Sequence, residues 1–250
     1  MDADAAAPAG GSVCGRVAGD DGPAMVGLLR IERSPAGTYV FQIDSSRVAV
    51  RDGAAPFELQ VPAWLPPGAT GRGCHLQYAV RVDWRPSRWS HKETLRAVTI
   101  CPAEREVHEA RNRLDRIIPS QPGRNFHLEL VDAVLEGGGH LTGRVHRDPG
   151  SDDTAFIVTA SCGEFWCTNF RFRTRRAPLL WETAELWSMS TALSLDRDDH
   201  WGPFRFDIPD GLPPATESRV IAWRYSIEAR TEARRAFASH AVLTPLRFEI

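Results

Sequence analysis

FELQVPAWLPP, residues 57–67, decides the fold of this chain because the chain carries a second version of it. The second version is FRFDIPDGLPP, residues 204–214, and each version precedes an apolar segment with a tyrosine, residues 76–82 and 223–229. Both versions alternate apolar and polar residues and end at a proline, which predicts a strand that stops where proline removes a backbone donor. We therefore expect these side chains to be buried: Phe57, Leu59, Val61, Tyr78, Phe204, Phe206, Ile208 and Tyr225.

A second repeated segment marks where each module begins. GGSVCGRV, residues 10–17, returns as GGHLTGRV, residues 138–145, and both segments precede their copy of the first repeat. The chain is therefore predicted to be a tandem of two related modules, and duplicated scaffolds commonly act through their surfaces. The predicted divisions are a disordered or edge-pairing tail at 1–10, modules at 11–102 and 125–250, and a linker at 103–124.

The composition is that of a soluble globular protein. Of 250 residues, 42% are hydrophobic and 25% are charged, and the net charge of -2 gives no general attraction to nucleic acid or to an anionic membrane. No apolar run is long enough for a membrane span, and the first residues show no secretion signal. The five cysteines are an odd number and are expected to be reduced thiols. Lys92 is the single lysine among many arginines, which favours a GC-rich bacterial source and, with the missing signal, a cytoplasmic location.

Short alternating apolar runs separated by turn residues predict about seven strands in each module. Strands at this spacing favour an all-β fold of two tandem immunoglobulin-like sandwiches. In the second module we expect an opening strand from residue 126, for which the first module has no counterpart, and a strand over residues 169–174. Apolar residues at helical spacing predict one amphipathic helix at 103–121, either a linker helix packed on the modules or a docking helix for a partner.

The repeated phrase ending in Leu-Pro-Pro, with its following Tyr-bearing strand, resembles the arrestin superfamily. The resemblance rests on residues 204–214 with 223–229, on 126–145, and on 57–67 with 76–82, so it spans both modules. It implies two arrestin-like sandwiches that act as cytosolic adaptors or scaffolds, as in arrestins, retromer sorting subunits and bacterial sporulation-control proteins. The modules here are shorter than those of full arrestins, and the buried charge network and the clathrin-binding tail of arrestins find no match.

Three segments invite a chemical interpretation. Cys162 and Cys167 have four residues between them, and His140 and His146 are candidate neighbours for a metal site. The sequence offers no second close pair of ligands, so buried structural thiols are favoured over zinc. Acidic loops at 148–153 and 196–200 lack the spacing of a calcium loop and are predicted to be solvated turns at opposite ends of the second module. No hydrolase elbow, phosphate loop or HExxH motif occurs, so we predict no catalytic residues, no metal and no cofactor.

Three surfaces are candidates for binding a protein partner. Arg171, Arg173 and Arg175 would form a basic stripe on one face of the predicted strand, either for a partner's phosphates or carboxylates or for neighbouring acidic side chains. Trp84 and Trp89 flank a predicted hairpin tip, which is either a simple turn or a contact surface. The third candidate is the edge strand with Val13 and Val17, which would pair with the tail or with another chain.

These observations lead to one functional expectation and one alternative. We expect a non-enzymatic cytoplasmic adaptor or scaffold that binds protein partners through sandwich edges and surfaces, with a homo-oligomer as one option and without nucleic acid. The alternative is a ligand- or metal-binding sandwich that serves as an accessory subunit of an enzyme system.

Overall fold

The computed structural model describes residues 1–87, 90–101, 126–152, 154–172, 178–196, 199–231 and 238–243. Within these residues the protein is all-β, with several sheets, as the alternating sequence pattern predicts. The chain divides into two compact units, Met1–Glu106 and Val107–Ile250. The predicted linker helix lies outside the described residues. Among those residues, no helix has both the length and the apolar character needed to cross a membrane.

The described part of the first unit contains short and long strands in two sheets. Their bounds are β1 (Asp2–Ala3), β2 (Ala6–Pro8), β3 (Ser12–Ala18), β4 (Gly22–Ser34), β5 (Gly37–Val50), β6 (Ala54–Gln60), β7 (Ala69–Thr70), β8 (His75–Ser87) and β9 (Ser90–Cys101). One sheet has the order β1-β3-β6, and the other has the order β2-β9-β8-β4-β5 with β7 also paired to β8. The pairing of β2 with β9 is parallel, whereas the other pairings of this unit are antiparallel.

The second unit repeats this arrangement with its own strands. Their bounds are β10 (Phe126–Val134), β11 (His140–Arg147), β12 (Ala155–Cys167), β13 (Trp181–Ser194), β14 (Trp201–Asp207), β15 (Thr216–Glu217), β16 (Ile221–Thr231) and β17 (Ala238–Leu243). One sheet has the order β10-β11-β14. The other has the order β13-β12-β16, with β15 and β17 both paired to β16. All of these pairings are antiparallel.

The repeated sequence segments occupy the same strand positions and the same register in both units. In the first unit Val13 lies opposite Leu59 and Gly15 lies opposite Phe57. In the second unit the matching pairs are Leu141 with Phe206 and Gly143 with Phe204. Register in a half-buried sheet decides which side chains enter the core, so the two copies present equivalent residues to it.

The glycine of the repeated Gly-Arg-Val sequence is required by close packing across the strand pair. A Cβ atom at Gly15 would lie 2.6 Å from Cζ of Phe57, and one at Gly143 would overlap the ring of Phe204 and the carbonyl of Glu129. With no Cβ at this position, the aromatic ring can lie directly over the neighbouring backbone. The phenylalanine and the glycine therefore recur together.

A buried hydrogen bond explains why each Leu-Pro-Pro segment is followed by a tyrosine. The hydroxyl of Tyr78 donates to the carbonyl of Pro66 at 2.7 Å, and that of Tyr225 donates to the carbonyl of Pro213 at 2.9 Å. Burial raises the pKa of both tyrosines above the usual range, so the hydroxyls remain neutral donors. Each bond fixes the extended proline segment against the central strand that follows it.

The predicted core residues are buried in both units, which confirms this expectation. Their exposed fractions do not exceed 6%. In the second unit a single hydrophobic cluster draws side chains from both sheets. Phe126 of β10 and Phe156 of β12 illustrate this packing, since their rings meet edge to face with centroids 5.2 Å apart.

Each unit also buries a glutamate at one equivalent position of its longer sheet. Glu32 lies opposite Leu76 and Glu164 lies opposite Trp223, and both carboxylates are essentially inaccessible to solvent. Nε of Arg30 lies 2.8 Å from a carboxylate oxygen of Glu32, so the two side chains form a buried ion pair. Glu164 instead accepts a hydrogen bond from the indole of Trp223 at 3.1 Å. A buried charge of this kind needs such compensation.

Two predicted strand assignments are wrong. The first unit is not without an opening strand, because β1 in the tail, Asp2–Ala3, pairs with β3. This pairing with the tail is one of the two alternatives predicted for that edge. The described part of the predicted strand over 169–174 is not a strand, because Phe170–Phe172 is a turn of 3-10 helix. Residues 173 and 174 lie outside the described residues. The side chain of Asn169 bonds the backbone of Pro178 and Leu180, both at 2.9 Å, so the chain leaves the sheet at Asn169 and turns back toward β13. The Phe-Arg alternation therefore misled the prediction.

Candidate functional site

Val13 and Val17 contribute side chains to the core rather than to an open surface. Their exposed fractions are 0% and 4%. The outer edge of their strand is occupied by the tail, since Asp2 and Ala3 pair with it and the amide of Asp4 donates to the carbonyl of Cys14 at 2.9 Å. At these positions the edge is paired within the chain.

The tail then continues to the other sheet of the first unit. Ala6–Pro8 pair in parallel with β9, and the amide of Ala9 donates to the carbonyl of Cys101 at 2.9 Å. The carboxylate of Asp2 also forms an ion pair with Arg96 of β9 at 2.7 Å. The tail is thus in contact with strands of both sheets.

Trp84 lies in the predicted hairpin but is not an exposed contact residue. Strands β8 and β9 form the hairpin, and their register extends to Ser87 opposite Ser90. The exposed fraction of Trp84 is only 9%, and the ammonium of Lys92 lies 5.3 Å from the centre of its ring. Lys92 of the same hairpin and the glycines at the turn between β3 and β4, Gly19 and Gly22, lie beside the ring, which accounts for the burial of Trp84. Trp89 lies outside the described residues.

The predicted arginine stripe is not supported at Arg171, which is the one of its three arginines that the structure describes. Arg171 belongs to the 3-10 turn, which does not alternate side chains between two faces as a strand does. Arg173 and Arg175 lie outside the described residues. The strand on which the stripe depended is therefore absent at Arg171.

The cysteine pair consists of buried thiols, as predicted. Cys162 and Cys167 are both fully buried and free of disulfides. Burial raises the pKa of the Cys162 thiol to about 11, and a hydrogen bond with Tyr225 offsets part of the increase. Such a thiol is a poor nucleophile and a poor metal ligand at neutral pH. Among the described residues, no three His, Cys, Asp or Glu side chains are grouped so that they could hold a metal ion.

The two acidic loops lie at the same end of the second unit, which corrects the prediction of opposite ends. The amide of Arg147 donates to the carbonyl of His200, and the amide of Leu195 donates to the carbonyl of Thr154, both at 2.8 Å. The prediction assumed an up-and-down strand order. Because β11 pairs directly with β14, the chain segments that follow β11 and precede β14 meet at one end.

A surface that sequence reasoning missed lies on the solvent side of the sheet β10-β11-β14. The imidazoles of His127 and His146 stack with centroids 4.8 Å apart and an angle of 3° between their planes. Beside them, the guanidinium of Arg144 lies 4.5 Å from the ring centre of Trp201. We call this surface the histidine-tryptophan face and define it as His127, Glu129, Arg144, His146 and Trp201.

Carboxylates hold the two imidazoles of this face in position. Nε2 of His146 donates to Glu129 at 2.7 Å, and Nδ1 of His127 lies 3.6 Å from the carboxylate of Asp148. The hydrogen bond from His146 is the main reason that the pKa of Glu129 is lowered. Trp201 remains 47% exposed. The face therefore combines an exposed aromatic ring, a cation and ordered polar groups.

The first unit lacks this surface although its strands have the same register. His146 lies opposite Trp201 in the second unit, whereas the equivalent pair in the first unit is Ala18 with Ala54. Arg16 is the equivalent of Arg144, since each lies opposite the proline of the neighbouring strand. The sequence signal for this face is therefore that His146 and Trp201 of the second unit correspond to two alanines in the first unit.

No family model and no curated protein matches this sequence. The arrangement of side chains and the internal duplication are therefore the basis for inference about function.

Proposed function

We propose that this chain is a non-catalytic cytoplasmic adaptor or scaffold built from two arrestin-like sandwiches. It binds protein partners through the surfaces and edges of its sheets, and its principal heterologous surface is the histidine-tryptophan face. The equivalent registers of the two units and the recurring Tyr-to-Pro hydrogen bond support the tandem interpretation.

The contrast between the units carries the assignment of the binding surface. Buried positions agree between the copies, as at Leu59 and Phe206, because the fold needs apolar residues there. The solvent-side pair of half-buried His146 and exposed Trp201 is replaced by two alanines in the first unit, so the fold of that unit does not need it. Residues that the fold does not require, and that leave an aromatic ring half-exposed, favour a role in recognition.

The chemistry of the face suits a protein partner. Tryptophan and arginine contribute disproportionately to binding energy at protein interfaces, where their large flat groups are desolvated. Trp201 and Arg144 already lie in contact, so little side-chain freedom is lost when a partner covers them. Glu129, His127 and His146 add hydrogen-bonding groups beside them, as in the polar rim of such interfaces.

The properties of the candidate chemical groups favour binding over catalysis. The raised pKa of Cys162 makes its thiol unsuitable for nucleophilic attack near neutral pH. The alternative of a ligand- or metal-binding accessory subunit stays a prediction, which a metal assay on the purified protein tests.

A paired-variant capture experiment tests the proposed function. The tagged full chain is incubated with lysate of the source organism, and captured proteins are quantified by mass spectrometry for the wild type and for Arg144→Ala/Trp201→Ala. We expect at least about a tenfold loss of the specific partner, since truncating such residues commonly costs more than 1 kcal/mol each. Arg16→Ala is the matched control because it removes the equivalent arginine of the first unit, and it should leave capture unchanged.

Two results would contradict the proposal. One is capture that both variants reduce equally, which would indicate general charge attraction instead of recognition by this face. The other is unchanged capture by the double variant with a normal circular dichroism spectrum. Either result would assign the partner surface elsewhere.

A further inference from the structure

Strand β13 forms one edge of the longer sheet of the second unit. It is 14 residues long and pairs along its whole length with β12. Within the described residues no strand pairs with its other side. Such a strand presents a row of backbone donors and acceptors that a further strand can bind.

Four other edge strands carry features that discourage pairing with another chain. β6 and β14 contain Pro56 and Pro203 at equivalent positions, where proline lacks a backbone donor. β10 has an irregular register between Leu130 and Asp132 and carries two carboxylates. In β5 the carboxylate of Asp44 accepts a hydrogen bond from the amide of Gln60 at 2.7 Å, and Arg47 is exposed nearby. These features are common protections of sheet edges.

The second half of β13 has none of these protections, because its two carboxylates and its irregular register lie before Trp187. Residues 186–195 read LWSMSTALSL and contain no charged residue and no proline. The irregular register next to Cys162 leaves the following residues of β13, from Trp187 onward, in regular pairing. An uncharged, regular strand with no partner on one side among the described residues is well suited to pairing with another strand.

Apolar side chains along this edge remain incompletely covered. Met189 lies opposite Ala160, which is fully buried in the core cluster, yet Met189 itself is 50% exposed. Trp187 and Leu193 lie opposite Cys162 and Phe156 and are only partly buried against the same cluster. Because side chains opposite each other share a face, this row continues the core to the open edge. A neighbouring strand would cover it.

We propose that a second copy of this chain pairs with β13 in antiparallel orientation about a two-fold axis near Met189 and Ser190. A two-fold interface brings the same surface of each copy together. The charges of β13, Glu182 and Glu185, lie only toward its first half, so antiparallel pairing places them at opposite ends. Parallel pairing would align like charges, which is unfavourable. This inference rests on one part of the proposed function, namely that the sheet edges bind protein partners, and it names a second copy of the chain as one such partner.

Sedimentation velocity on the purified full chain tests this pairing. We expect the wild type to change from monomer to dimer across about a hundredfold range of protein concentration, as mass action requires. Met189→Lys should weaken dimerisation at least about tenfold, because the edge would bury a charge. Ser188→Lys, on the exposed opposite face, is a second edge variant with a similar expected effect.

Val40→Lys is the matched control for these variants. Val40 is an exposed apolar residue, with an exposed fraction of 54%, on the edge strand β5 of the first unit. This substitution adds the same charge without touching β13, so dimerisation should not change. Circular dichroism and thermal melting of every variant establish that its fold is retained.

Three results would overturn the inference. The first is a wild-type chain that stays monomeric at every concentration, and the second is a dimer that persists in both folded β13 variants. The third is a wild-type chain that is monomeric and captures another protein, with that capture lost in Met189→Lys. This result would show that β13 pairs with a strand of another protein and not with a second copy. A dimer that persists in Arg144→Ala/Trp201→Ala, with capture unchanged, would refute the proposed binding face and leave this inference standing.

Discussion

At the scale of single residues, hydrogen bonds from Tyr78 and Tyr225 explain why each Leu-Pro-Pro segment is followed by a tyrosine. Each hydroxyl satisfies the carbonyl of the first proline in its Leu-Pro-Pro segment. That carbonyl would otherwise be buried without a partner, which is more costly than the net gain from an ordinary hydrogen bond. The tyrosine therefore recurs because the proline segment has to cross the end of the core in a fixed position.

Replacing either tyrosine with phenylalanine tests this role. We expect Tyr78→Phe and Tyr225→Phe each to lower the free energy of unfolding by about 1–3 kcal/mol, since a buried carbonyl loses its donor. Urea unfolding followed by tryptophan fluorescence and circular dichroism measures the change. Equal stability of wild type and both variants would mean that the aromatic ring, and not the hydroxyl, explains the recurrence.

At the scale of strands, the tail of the first unit acts as two edge strands in succession. β1 pairs with β3 in one sheet, and β2 pairs with β9 in the other. Buried alanines make this possible: Ala3, Ala7 and Ala9 are all buried, and their small side chains fit beside strands that are already packed. The tail therefore contributes to stability mainly through backbone pairing.

Deleting residues 2–9 tests the contribution of this pairing. We expect the melting temperature of the first unit to fall by roughly 5–10 °C, because two ladders and three buried alanines are lost. Exposed edges of β3 and β9 should also increase self-association, which light scattering detects.

Arg96→Ala serves as the control for the deletion. It removes only the ion pair with Asp2, whose carboxylate is largely exposed, and exposed pairs contribute about 0–1 kcal/mol. A loss of stability in Arg96→Ala as large as that of the deletion would show that the ion pair, not the strand pairing, holds the tail.

At the scale of the whole molecule, the division into two units suggests two independent folding domains. The second unit has a core cluster drawn from both of its sheets, and the first unit buries the equivalent repeated residues. Each unit is large enough to bury a core of its own.

Separate expression of Met1–Glu106 and Val107–Ile250 tests this independence. We expect each fragment to show a β-type circular dichroism spectrum and its own cooperative unfolding transition, because cooperative transitions are typical of small single domains. The full chain provides the reference. A fragment that remains unfolded alone but folds when the other is added would show that the two units depend on each other.

The sequence predicted the repeated segments well because their pattern has local physical causes. Alternating burial, the strand-ending proline and the tyrosine all act within a few residues, and the buried set was correct in both units. The position of β13 was largely missed, since most of this edge strand alternates weakly and mixes serine with apolar residues. The prediction for Phe170–Phe172 failed in the opposite way. β12 ends at Cys167 and the side chain of Asn169 holds the turn that follows, although the Phe-Arg alternation continues in the sequence.

The candidate site could be predicted less well than the fold. Trp84 sits in a hairpin as expected, but its burial depends on packing that residue type alone does not reveal. His127 and His146 are distant in sequence and meet only through the pairing of β10 with β11. A comparison of the two copies at polar positions of the repeat identifies His146 and Trp201 from the sequence alone, because Ala18 and Ala54 replace them in the first unit.

The parallel pairing of β2 with β9 sets the order in which the first unit can be completed on the ribosome. Ala6–Pro8 are synthesised long before their partners Thr99–Cys101, so this segment stays unpaired until the rest of the unit has been synthesised. Pairings between distant segments form slowly, and unpaired strands in nascent chains are prone to misassembly. A tail made mainly of alanine, aspartate and proline can stay unpaired during synthesis with little aggregation, because it attracts other nascent chains less than a more hydrophobic strand would.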